Sequence, residues 1–118
     1  MSTEIFDKLQ EGIKLQQDND LLGAEAAYRE ILDQHPDHPD ALHLLGVLAY
    51  QIGDYKTAEE LISLAINSEH VIADYYNNMG EVMRASGREE EARSFYQKAL
   101  DLDPEHGNAK NNLQKLSS

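Results

Sequence analysis

Residues 39–72 read PDALHLLGVLAYQIGDYKTAEELISLAINSEHVI, and this stretch decides the fold. Its first half carries Ala41, Leu44, Leu45, Leu48 and Ile52 at steps of three and four, the spacing of one buried helix face. Gly53-Asp54 interrupts that stripe. Glycine supplies the left-handed backbone that ends a helix, and Asp54 stands where it caps the next one. A second stripe follows in Ala58, Leu61, Ile62, Ala65 and Ile66. The stretch is therefore a helical hairpin.

Outward from it, the same hairpin recurs on both sides. Gly12, Gly46 and Gly80 are 34 residues apart, and so are Ala24, Ala58 and Ala92. Tyr28, Ile62 and Tyr96 keep the same step, as do Leu32, Ile66 and Leu100. A fixed period of this length means stacked helical hairpins. The third unit places Tyr75, Met79, Val82 and Met83 before Gly87, and Ala92, Phe95, Tyr96, Ala99 and Leu100 after it. The first unit has Asn19-Asp20 at its turn. Pro36, Pro39 and Pro104 fall between units, where proline stops or begins a helix. The predicted helices are 3–17, 21–34, 39–52, 55–68, 72–86, 89–102 and 106–116. No stretch alternates apolar and polar residues over a useful length, so the fold class is all-α.

Packing explains the recurrent residue types. Gly46 and Ala58 face each other within one hairpin, where small residues let two helix backbones approach. Ala65 and Ala99 do the same between hairpins. Tyr28, Ile62 and Tyr96 fill the space beyond the close contact. Overfilling a small position costs about 1–3 kcal/mol.

The chain has 118 residues, enough for one domain with a continuous core. Its formal charge is −12, which argues against nucleic acid or an anionic membrane as partner. There is no cysteine, hence no disulfide or thiolate chemistry. Met1-Ser2-Thr3-Glu4 does not begin a signal peptide, and no run approaches the roughly 18 apolar residues of a membrane helix. A cytoplasmic protein is the expectation.

The 34-residue pattern resembles the tetratricopeptide repeat family. With Ile5 as position 1, position 8 is Gly12, Gly46 and Gly80, and position 20 is Ala24, Ala58 and Ala92. Position 24 is Tyr28, Ile62 and Tyr96, position 27 is Ile31, Ala65 and Ala99, and position 32 is Pro36, His70 and Pro104. The resemblance implies one domain over 1–118, with repeats at 5–38, 39–72 and 73–106 and a capping helix at 107–118. Departures are Lys8, Leu42 and Tyr76 at position 4, Glu11 at position 7, and His70 in place of proline, which loosens the second joint. Lys110 and Gln114 in the last helix read as solvating.

The resemblance further implies a right-handed superhelical array whose concave groove is lined by the first helix of each hairpin. It implies binding of a protein or peptide partner without catalysis or cofactor. The groove positions give an apolar half, Phe6, Leu9, Ile13, Leu44, Val47 and Tyr50. They also give a polar half, Asn77, Asn78, Glu81, Arg84, Asn111 and Asn112. His43 falls between the halves, where it could make a pH-dependent contact. Asn78 and Asn112 share position 6, a spacing similar to the asparagine ladder of O-linked N-acetylglucosamine transferases. The phrase Pro39 to Gly46 also looks like bacterial repeats attached to such enzymes, although Leu44 interrupts the ladder. The carboxylate clamp of chaperone-binding repeats is absent, because Leu9, Ile13 and Leu44 occupy its positions. Asp40, Asp74 and Glu81 instead favour ligands with positive charge. Two alternatives stand beside groove binding. One is self-association into a homo-oligomeric scaffold; the other is a repeat fragment of a larger glycosyltransferase-like enzyme.

Catalysis and metal binding find little support. No Gly-rich phosphate loop is present. His35 and His38 flank Pro36 in a turn and read as surface residues. Asp18, Asp20 and Gly23 do not complete a calcium loop, because Leu22 and Arg29 stand where oxygen ligands belong.

Overall fold

The computed structural model describes residues 2–117. Among them are seven α-helices and no strand. They are α1 (Ser2–Gln17), α2 (Leu21–Gln34), α3 (Pro39–Gln51), α4 (Tyr55–Ile66), α5 (Ala73–Ala85), α6 (Glu89–Leu102) and α7 (Gly107–Ser117). Contacts are richest within the pairs α1/α2, α3/α4 and α5/α6, and next richest between consecutive pairs. The result is a superhelical array of antiparallel hairpins closed by α7.

Each hairpin turn uses one residue of positive φ, at the same place in the repeat: Asn19 (66°), Gly53 (86°) and Gly87 (80°). The next amide then reaches back to a carbonyl of the finished helix, as Asp54 N–H does to Ala49 at 2.8 Å. Asp20 and Asp54 cap the second helices, accepting from Gly23 N–H (3.0 Å) and Thr57 N–H (3.2 Å).

The joints before α3 and α7 are each capped by a histidine, the first of which, His38, sequence spacing reads as a surface residue. His38 Nδ1 accepts from Ala41 N–H at 3.2 Å, ahead of Pro39 in the first turn of α3. His106 Nδ1 does the same for Ala109 N–H at 3.1 Å. The middle joint has Ile72 at that place and no side-chain cap. There α4 stops at Ile66, two residues short of the sequence expectation. Ser68 Oγ instead accepts from His70 N–H, a local bond that competes with continuing the helix.

The core follows the period. Ala24, Ala58 and Ala92 are fully buried, as are Tyr28, Ile62 and Tyr96. The Tyr28 ring lies over Gly12 and the Tyr96 ring over Gly80, so close that a Cβ on either glycine would stand 2.5 Å from a ring carbon. Ile62 covers Gly46 in the same manner, at 2.7 Å. Ala65 packs with Tyr75 and Leu42 between the second and third hairpins, and Ala99 packs with Ala73 and Ala109 against α7.

Candidate partner-binding groove

The first helices α1, α3 and α5 line one side of the array, and a cavity of about 430 Å³ opens between them. Ile13, Leu44, Val47 and Tyr50 form its apolar wall, Gln16, Gln17, Gln51 and Asn78 its amide rim, and Glu81 its acidic edge. Ile62 and Val82 lie at its base. Its size falls in the usual range of ligand clefts.

A single departure in the period explains where this cavity sits. In the first and third hairpins a tyrosine occupies the place of Ile62, and its phenol reaches the concave side. Tyr28 donates to Gln16 Oε1 at 2.7 Å. Tyr96 donates to Glu81, and its oxygen accepts from Arg84 Nε at 3.3 Å. Burial pushes the Tyr28 hydroxyl up to about 12, so it remains a donor at physiological pH. Ile62 has no such reach. In the middle hairpin the space above it stays open, bounded by Val47 and Tyr50.

The polar side chains are joined from one first helix to the next. His43 Nε2 accepts from Asn78 Nδ2 at 2.8 Å. Asn77 Nδ2 donates to Asn78 Oδ1 at 3.3 Å, and Asn112 Nδ2 donates to Asn77 Oδ1 at 3.0 Å. Gln16 donates to Gln51 at 2.6 Å, and the Tyr75 hydroxyl donates to Asp40. Four of these bonds, Gln16–Gln51, Asp40–Tyr75, His43–Asn78 and Asn77–Asn112, join residues 35 apart. Each first helix therefore meets its successor one residue out of register with the repeat.

This network corrects two sequence expectations. His43 is not a free imidazole facing the groove. It is 6% exposed, with its ring tilted against Tyr75 at 4.6 Å. Burial lowers its pKa to about 4, against the opposing pull of Asp74 and Asp40, so it is neutral at physiological pH. Asn77 is 5% exposed and is engaged at both ends of its amide. Both residues lie on first helices, but the helix two places further on meets each of them, α5 at His43 and α7 at Asn77.

The remaining candidates divide. Ile13, Leu44, Val47, Tyr50, Asn78 and Glu81 come together at the cavity. Leu9 lies outside it, half-buried beside Leu44 in the first inter-hairpin cluster. Phe6 is 59% exposed and outside the cavity wall. Arg84 is held by Glu81 at 3.0 Å and by the Tyr96 hydroxyl. Asn111 is exposed, and Asn112 is half-buried in the amide chain. Ile62 and Val82, which sequence spacing reads only as core, also shape the site. The signal for Ile62 is present in the sequence, as the one break in the tyrosine column.

Two family models described as tetratricopeptide repeat match residues 15–77 and 73–106. Mouse tetratricopeptide repeat protein 7B is 29% identical over 76 residues, which make up 64% of this chain and 9% of that protein. The chain thus spans about a tenth of that curated relative. An O-GlcNAc transferase mutant of Thermobaculum terrenum superposes with a TM-score of 0.93 at 32% identity, over 98% of this chain and 22% of that one. The first tetratricopeptide domain of Spaghetti, bound to the HSP90 peptide SRMEEVD, has a TM-score of 0.88 at 23% identity. That match covers 99% of this chain and 93% of that chain.

Proposed function

Since the chain belongs to the tetratricopeptide repeat family, we propose that it binds a segment of a partner protein in its concave groove. The observation that carries this is the open cavity of about 430 Å³ walled by Ile13, Leu44, Val47 and Tyr50. A pre-formed apolar cleft with a few polar groups at its rim is the usual form of a binding site. The Spaghetti neighbour, with its HSP90 peptide, supports the class of activity. The ligand differs. SRMEEVD carries three acids, whereas here Leu9, Ile13 and Leu44 stand at the carboxylate-clamp positions and Asp40, Asp74 and Glu81 add negative charge to the concave face. We place this activity in the cytoplasm, in keeping with the acidic surface. Likeness to the transferase repeats favours a second reading, in which the same groove presents a protein substrate to an attached enzyme.

The test is a quantitative pull-down with the intact chain beside Val47→Glu and Ile62→Tyr. The first puts a charge into the cleft wall, and the second fills the cleft from its base. Helicity and solution mass must match among the three. A partner retained by the intact chain and lost from both variants supports groove binding. Equal capture by all three refutes it.

A further inference from the structure

We infer that the groove takes an amphipathic, basic helix of the partner rather than an extended peptide. This rests on the reading that the concave groove is the binding face.

The first argument is hydrogen-bonding capacity. An extended segment brings a row of backbone N–H and C=O groups that need partners, whereas a helix satisfies its own. Free amides on the concave face would serve an extended chain. Here the ladder asparagines Asn78 and Asn112 are bonded to neighbouring side chains instead. Asn78 donates to His43, Asn77 to Asn78, and Asn112 to Asn77. Across the groove, Gln16 is bonded to Gln51. These bonds, with that from Tyr28 to Gln16, take one donor and one acceptor each from Asn77, Asn78 and Gln16, so an extended ligand meets amides whose capacity is already half used. The surface left for a ligand is mainly the apolar wall of the cleft, contributed by both α1 and α3. Such a surface accepts side chains and asks nothing of a backbone. It suits anchors spaced three and four residues apart on a helix.

Charge supplies the second, independent argument. Among the described residues at the concave repeat positions, the carboxylates are Asp40, Asp74 and Glu81, and the strong cation is Arg84. Arg84 is already paired with Glu81. Asp40 accepts from the Tyr75 hydroxyl, and Asp74 pairs with His106 Nε2 at 2.6 Å. Neither aspartate has a lysine or arginine partner among the described residues, and the Asp74 side chain is 60% exposed. With a whole-chain charge of −12, a helix carrying Lys or Arg beside its apolar stripe is the complementary occupant.

The experiment is a selection from displayed random peptides, with the intact chain as bait. Half of the library randomises the face of an alanine-rich helix; the other half carries a central Pro-Gly that prevents helix formation. Each selected peptide is synthesised and titrated against the intact chain, Val47→Glu and Ile62→Tyr, all of matched helicity. We expect peptides weakened about tenfold or more by both substitutions to come from the helical half. They should carry apolar residues at three- and four-residue spacing and an excess of Lys and Arg. The double substitution Asp40→Asn with Asp74→Asn should weaken them about fivefold. Groove-dependent peptides from the Pro-Gly half, or with an excess of acids, overturn this inference while groove binding stands. An unchanged affinity in the double aspartate variant overturns the basic assignment. Peptides indifferent to both cleft substitutions, or no peptides at all, refute groove binding itself and this inference with it.

Discussion

Acidification should unfold this protein partly through one side chain, His43. Its ring is buried against Tyr75, and its Nε2 accepts from Asn78. Folding lowers its pKa to about 4, from an unfolded value of 6.5. Between those values the unfolded chain binds a proton that the folded chain refuses, so stability falls as pH drops. The contribution is fully present above the unfolded value and is lost progressively below it. Linkage puts the loss at about 2 kcal/mol near pH 5 and about 3 kcal/mol near pH 4, relative to neutral pH. Asp40 and Asp74 pull the other way and are already included in the net shift. The assay is urea unfolding followed by circular dichroism at several pH values, on the intact chain and on His43→Gln. Glutamine keeps an acceptor for Asn78 and has no titrating ring. Carboxylates and the other histidines contribute equally to both proteins, so the difference between the two curves isolates His43. That difference should open below about pH 6.5 in favour of the variant. The imidazole signal should titrate far below a free histidine in nuclear magnetic resonance. Parallel pH profiles, or an imidazole that titrates near its ordinary value, would refute the reasoning.

Three further outcomes follow from the packing. Gly80→Ala drives a methyl to 2.5 Å from the Tyr96 ring, which Glu81 and Arg84 hold in place; thermal unfolding should show a loss of about 1–3 kcal/mol. Gly53→Ala meets no atom within 4 Å but must adopt a φ of 86°, so its cost of about 1–2 kcal/mol is purely conformational, and Gly53→Asn should recover part of it in the same assay. Tyr28→Phe keeps the ring over Gly12 and loses the bond to Gln16, which should cost about 1 kcal/mol in urea unfolding.

Much of this architecture is readable in the order of residues. Gly at one place in the period and Ala at another allow helices to approach, and a left-handed residue at the turn reverses the chain. These are local and nearest-neighbour requirements, so they recur in the sequence wherever they recur in space. The C-terminal end of α4 was less legible, because the bond from His70 N–H to Ser68 Oγ that competes with the helix is one of several that the same residues allow. The histidine caps at His38 and His106 were also hidden. A histidine before a helix reads as surface until its Nδ1 is seen to point at an amide.

The sequence by itself determined that this is a stack of helical hairpins, because periodic burial leaves a periodic record, and the resemblance to the repeat family implied which helix faces line its concave side. Only the tertiary structure decided which of those concave residues stay available. Neighbouring hairpins meet one residue out of step with the repeat, so His43 finds Asn78 and Asn77 finds Asn112 at a separation of 35. That offset is set by how two hairpins rotate on each other, and no spacing within one hairpin encodes it. The position of the cleft has the same origin. Ile62 in the tyrosine column is a letter in the sequence, but it becomes a cavity only when Ile13 and Val47 stand around the space it leaves.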